Sequence, residues 1–175
     1  MATRDDVLTA MQDLVLSTGR RPSVAAVAAE VGLSKQGVLH HFPDRHSLDL
    51  ALLRRAVARV DQVMGDAATA GRAGATYLRL STPSAEDRAV ATVMLAALEQ
   101  DAMPTEVWDE VTAAMNRWES LIAVEIGDVR RAEVIRLVGD GLFSEAMLTG
   151  SAPSPERIDA LVDFLLGDDG AERST

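Results

Sequence analysis

Cysteine is absent from the 175-residue chain, which excludes disulfides, thiolate zinc sites and cysteine nucleophiles together. Long apolar runs are absent as well. No stretch approaches the roughly 18 residues that span a bilayer, and residues 1–6 are followed by no signal-type core. A soluble, cytoplasmic protein is expected, with no membrane partner. Aromatics are few, with two Trp, three Phe and one Tyr. Low-complexity tracts are missing, and 47% hydrophobic residues exclude disorder as the main character of the chain. Sustained period-two alternation is missing too, which argues against strands.

Positive charge is also scarce, and the net charge is −10. Taken alone, that speaks against a nucleic-acid partner. Its distribution speaks differently. Residues 1–60 hold eight Lys/Arg and six Asp/Glu, a balance of +2, together with all three histidines; residues 61–175 hold nine and twenty-one, a balance of −12. Such asymmetry fits a nucleic-acid module attached to an acidic body.

What is present is helical periodicity, and an all-α fold of about nine helices is predicted. Val7, Leu8, Met11, Leu14 and Val15 form one stripe, stopped by Gly19 and Pro22. Ser23 can cap a short second helix with Val24, Val27, Ala28 and Val31 inward, ended by Gly32; Ser34 can cap an equally short third. The fourth starts at Pro43-Asp44 and is expected to end near Gly65, with 66–71 as a joint. A helix near 73–80 follows, then one capped by Ser84, one starting at Pro104-Thr105, one from Asp128 to about Thr149, and a last one after Pro153-Ser154-Pro155. The segments read from this pattern are an N-terminal module of three helices at 1–48, a linking helix at about 44–65, and a C-terminal helical bundle at 66–175.

The stretch LSKQGVLHHFPDR, residues 33–45, places two of the three histidines beside the only lysine. The helices on either side of Val31-Gly32-Leu33-Ser34 have the dimensions of a helix-turn-helix, whose second helix offers its first turn to the major groove. Val27, Val31, Leu33 and Val38 would be buried, leaving Lys35, Gln36 and Gly37 outward, with Ser34 at the cap. Lysine can donate to guanine or to phosphate, and glutamine can bond adenine with both ends of its amide. Gly37 lets a backbone approach, and His40 and Arg45 can donate to phosphates. His41 joins the candidate contacts, although it and Phe42 also read as packing residues.

Other chemistries for these residues are weaker. Adjacent histidines point about 100° apart on a helix, so His40 and His41 cannot readily share a metal. No nucleophile or cleft carboxylate accompanies them to make a catalytic set. Neither an enzyme, a metal nor a cofactor is expected.

Two runs carry a resemblance. Ser23-Val24-x-x-Val27-Ala28-x-x-Val31-Gly32-Leu33-Ser34, then Leu39-His40-His41-Phe42-Pro43-Asp44-Arg45-x-x-Leu48, resemble the N-terminal module of the TetR/AcrR family of transcriptional regulators. The resemblance covers about residues 5–55. It implies a homodimeric, one-component bacterial transcription factor, a repressor of a pseudo-palindromic operator, relieved by a small-molecule effector. The arginine and alanine usage fits a GC-rich bacterial genome. One position departs: most members have tyrosine where Leu39 stands, so phosphate contact passes to His40, Lys35, Arg45 and backbone amides. The competing reading is a helical protein-interaction module that keeps the motif only as scaffold.

In the body, Trp108 and Trp118 lie ten residues apart on one predicted helix. With Tyr77, Met94, Met103, Met115 and Phe143 they could line an apolar effector cavity or form ordinary core. Arg79, Glu99, Arg117 or Asp140 could supply a polar anchor. Gly139 and Gly141 interrupt a good helical pattern at a cost of about 1 kcal/mol each, which points to close approach of another helix. With the last helix, this segment resembles the family's dimer interface. Ile135, Val138, Leu142, Met147, Leu161 and Leu165 are the candidates, unless they complete the core of a single chain.

Overall fold

The computed structural model describes residues 2–98 and 105–167. Among them all regular structure is helical, in nine helices: α1 Arg4–Thr18, α2 Val24–Glu30, α3 Lys35–His41, α4 Arg45–Thr69, α5 Ala73–Arg79, α6 Ala85–Leu98, α7 Thr105–Ile126, α8 Val129–Thr149 and α9 Pro155–Leu166. Side-chain caps explain most starts, those at Ser23, Ser34 and Ser84 as predicted. Ser23, Ser34, Asp128 and Ser154 each accept a hydrogen bond from a backbone amide of the first turn that follows. Ser84 and Asp87 cap α6 reciprocally, at 3.1 and 2.8 Å. The start of α1 is closed the same way by Thr3 and Asp6.

One boundary differs from the sequence reading. α4 runs through Gly65 to Thr69, and the turn falls at Gly71, whose φ is 62°. Arg72 N–H then donates back to the Ala67 carbonyl at 3.0 Å. An interior glycine costs only about 1 kcal/mol. Burying Met64 and Ala67, both almost wholly enclosed, outweighs that and carries the helix past it.

The chain divides into two compact units, Met1–Arg59 with Ser84–Glu110, and Val60–Pro83 with Val111–Thr175. The first contains the whole 1–48 segment and also α6, which the sequence pattern grouped with the C-terminal body. Charge explains the grouping. Arg55 and Arg59 of α4 both pair with Glu86 of α6, at 2.9 and 3.1 Å, and Arg59 also reaches Asp87 at 2.9 Å. Arg55 donates further to Gln12 and Thr9 of α1, at 2.6 and 3.2 Å. Three helices are thereby fastened at one point. Beneath the short helices, Val27, Val38, Phe42 and Leu48 are fully buried.

The second unit is built on Met64, Tyr77, Leu78, Ile122, Ile135 and Leu142, all buried. α5 begins without a side-chain cap of its own. Glu125 of α7 serves instead, accepting from the Ala73 and Gly74 amides. α8 and α5 touch closely at Gly139, where an added Cβ would lie 2.7 Å from the Tyr77 ring. This is the close helix approach that the glycine predicted, made within the chain.

Candidate nucleic-acid interface

The corner between α2 and α3 is made by Gly32, at φ 69°, where a side chain would be strained. Leu33 N–H returns to the Ala28 carbonyl at 2.9 Å. Val38 faces the core, so the opposite face of α3 is fixed outward. Ser34, Lys35 and Gln36 are exposed, and Gly37 is half-buried. The Ser34 oxygen accepts from the Gly37 amide at 3.0 Å, which leaves its hydroxyl proton available to a ligand. One short turn thus presents a hydroxyl, an ammonium and a carboxamide side by side.

The remaining candidates are placed less uniformly. His40 is exposed, whereas His41 and Leu39 are half-buried. The two imidazoles stand 5.9 Å apart at 68°, an arrangement for contacting separate groups. Arg45 is half-buried and engaged within the chain. It donates to the Pro22 carbonyl and pairs with Asp49 at 2.8 Å. Burial pulls its guanidinium below the ordinary arginine range, and the Asp49 charge opposes that pull. Asp49 is only 4% exposed and pairs also with Arg21. The sequence reading passed over both residues. A lone carboxylate inside the apolar run Leu48-Asp49-Leu50-Ala51-Leu52 was the signal, because a buried acid requires a cation beside it.

Residues 71–167, more than half of the chain, match the family described as Tetracyclin repressor-like, C-terminal domain. The chain belongs to this TetR-like family of transcription regulators. The fold has a counterpart in the crystal structure of a transcriptional regulator from Rhodococcus sp. Rha1, with a TM-score of 0.72 and 20% identity over 95% of both chains. No curated protein matches the chain. Among the described residues no helix is long and apolar enough to cross a membrane.

Within the TetR-like body, the residues expected around an effector do not share one unit. Met94 and Trp108 belong to the first, and Trp108 is 51% exposed. Tyr77, Met115, Trp118 and Phe143 belong to the second. Met103, with the anchor candidate Glu99, lies outside the described residues. Tyr77 and Trp118 are ring neighbours at 6.3 Å. The Tyr77 hydroxyl donates to Asp140 at 2.5 Å and the Trp118 N–H to Asp61 at 2.7 Å. Burial, then the Asp140 bond, raises the Tyr77 pKa beyond its ordinary value, so it acts as a donor throughout. Arg136 bridges Asp140 and Glu119, at 2.7 and 2.5 Å. Of the other anchor candidates, Arg79 pairs with Asp159 and Arg117 with Asp61.

The dimer candidates divide as well. Ile135, Leu142 and Leu165 are buried in the second unit's own core. Val138, Met147 and Leu161 are half-buried. The reason is that α8 is apolar on two faces. Residues 132, 135, 139, 142 and 146 point inward, while Val134, Leu137 and Leu148 are exposed, as is Phe164 of α9 at 80%. Gly141 has open space where a Cβ would stand. Between α8 and α9 lies a groove of about 450 Å³ lined by Leu137, Val138, Gly141 and Leu161, rimmed by Glu145 and Arg157, which pair at 3.0 Å.

Proposed function

We propose that the chain is a DNA-binding repressor that works in the cytoplasm as a homodimer and releases its operator when a small molecule binds the body. One observation supports the DNA reading above the others. The first turn of α3 is held outward by a buried scaffold and exposes Ser34, Lys35 and Gln36 together, the donors and acceptors that major-groove edges recognise. Residues 1–48 serve as the DNA-binding module, with Gly37 and His40 completing the contact surface. His41 and Arg45 support it from within.

The partner for the body is a second copy, seated on the exposed faces of α8 and α9. Val134, Leu137, Leu148 and Phe164 form an apolar surface there, and Gly141 allows helices to approach. A two-fold dimer requires an operator of matching symmetry, with half-sites a helical turn or more apart. An effector acts only if it binds the DNA-competent and DNA-incompetent conformations with different affinity; the Tyr77–Asp140–Arg136 cluster offers it hydrogen-bonding groups.

Selection of bound duplexes from a random DNA library, at about physiological salt and with mass measured by light scattering, tests this reading. An enriched palindrome from a dimeric protein supports it. A folded dimer that enriches nothing, with or without a panel of candidate small molecules, refutes it and favours a protein-interaction role.

A further inference from the structure

The fold of this chain does not require the glycine at position 37. Gly37 lies inside α3, where glycine is less favourable than alanine, and its φ is not positive. A Cβ built there meets nothing closer than the Leu33 Cβ at 3.4 Å, with the Ser34 Oγ at 3.5 Å and the Leu33 Cδ2 at 3.7 Å. These are ordinary contact distances, so alanine would fit. Gly139 is the contrast, since there the Tyr77 ring already fills the space. The missing side chain at position 37 therefore points to a group from outside the chain.

The surroundings define that group. The sequence pattern places Leu33 inside, yet it is only half-buried, so apolar surface is left beside Gly37. The Gly37 amide is already bonded to the Ser34 oxygen at 3.0 Å and offers no donor. A polar group set against Leu33 and the bare Gly37 Cα would lose its water without gaining a partner, so the spot suits an apolar one. The apolar group that base edges present in the major groove is the C5-methyl of thymine. The O4 acceptor sits on the adjoining ring atom, and the Ser34 hydroxyl, whose proton remains available, borders the same spot. We propose that Leu33 and Gly37 seat one thymine methyl in each half-site while Ser34 donates to its O4. This inference rests on the operator-binding reading and deepens it. It assigns Leu33, a turn residue, to base recognition, and it gives the half-site a fixed thymine near the base that Gln36 reads. Neither phosphates nor helix amides take part in the contact.

The test uses the full chain and the duplex enriched by selection, with thymines replaced one at a time by uracil, which lacks only the C5-methyl. At one position in each half-site the replacement should weaken wild-type binding about fourfold, and about fifteenfold when both half-sites are changed. Gly37→Ala should leave Tm unchanged or higher, bind the parent duplex more weakly and ignore uracil at that position. Gln36→Ala should keep the uracil sensitivity there. Selection repeated with Gly37→Ala should lose the fixed thymine and keep the other bases. Indifference of the wild type to uracil at every position overturns the proposal. So does uracil sensitivity that survives in Gly37→Ala, or a lowered Tm in that variant, which would mean that the fold needs the glycine. If the wild type enriches no duplex, the operator-binding reading falls first and this inference with it. If it enriches one without a fixed thymine, this inference alone falls.

Discussion

Gly139→Ala is the perturbation that most directly tests how the second unit is assembled. Taken as a helix position alone, it should stabilise by about 1 kcal/mol. The surroundings reverse the sign. The new Cβ would lie 2.7 and 2.8 Å from two Tyr77 ring carbons and 3.4 Å from the Ser81 oxygen. The ring cannot simply withdraw, because its hydroxyl is held by Asp140 at 2.5 Å and the Trp118 ring stands beside it, tilted by 47° at 6.3 Å between centroids. Overpacking of this kind costs about 1–3 kcal/mol, and a hydrogen bond to a charged group, if lost, about 1.5–3. Against the propensity gain, a net loss of about 2 kcal/mol is expected, or roughly 4–8 °C in Tm for a chain of this size. Urea unfolding followed by circular dichroism measures it, and Tyr77→Leu supplies the control: with the ring gone, the same Gly139→Ala change should become neutral or stabilising. If Gly139→Ala raises Tm in the wild-type background, the close approach of α5 and α8 is refuted.

Glu86→Ala removes the acceptor shared by Arg55 and Arg59 and should cost about 1–3 kcal/mol, read as a lower urea midpoint with α4 and α6 amides exchanging faster. On the α8 surface, Leu137→Ser should leave the fold intact and lower the mass toward that of one chain, whereas Leu142→Ala, at a buried position, should cost about 2–5 kcal/mol of folding stability; light scattering and thermal melts distinguish the two. The Ser47 backbone N–H and then its hydroxyl hold the Asp44 carboxyl below the ordinary carboxylate range, so the ionised form is favoured in the folded state. The stability from this cap is therefore present above about pH 4 and lost as pH falls below it. The Tm gap between wild type and Asp44→Ala should narrow on acidification from pH 6 to pH 3.

How far the sequence could be read depended on the range of the interaction that decides each feature. Ser23 and Ser34 act on amides three residues away, so these caps were visible in a linear pattern. So was the outward turn of α3, because burial of Val27 and Val38 follows from helical spacing. The end of α4 was not, because the burial of Met64 and Ala67 that carries it past Gly65 is tertiary. The place of α6 was hidden for a similar reason. It depends on ion pairs from Arg55 and Arg59 to Glu86 and Asp87, across about thirty residues of chain. On α8 the periodicity allows either of two apolar faces to be inside, and only packing against Tyr77 and Ile122 selects the one with Ile135 and Leu142. Asp49 was visible as an anomaly, but its partner Arg21 lies 28 residues away.

The same long-range pairs set how strongly binding should depend on salt. Of the eight cations in residues 1–60, Arg21, Arg45, Arg54, Arg55 and Arg59 are already in ion pairs with carboxylates. Arg4, Arg20 and Lys35 are exposed, and Arg4 lies over the Phe42 ring at 4.5 Å. If only these three meet phosphates, a dimer neutralises about six, and log Kobs should fall against log salt with a slope near −5. Were Arg21 and Arg45 to leave Asp49 and engage the backbone, the count would rise to about ten and the slope to about −9. The buried position of Asp49 favours the smaller value, since parting it from both arginines would leave a desolvated charge unpaired. A slope near −9 measured with the selected duplex would mean that the cluster opens on DNA. A slope near −5 that drops by about two units in Lys35→Ala, one for each subunit, would place the electrostatic contact on the few exposed cations.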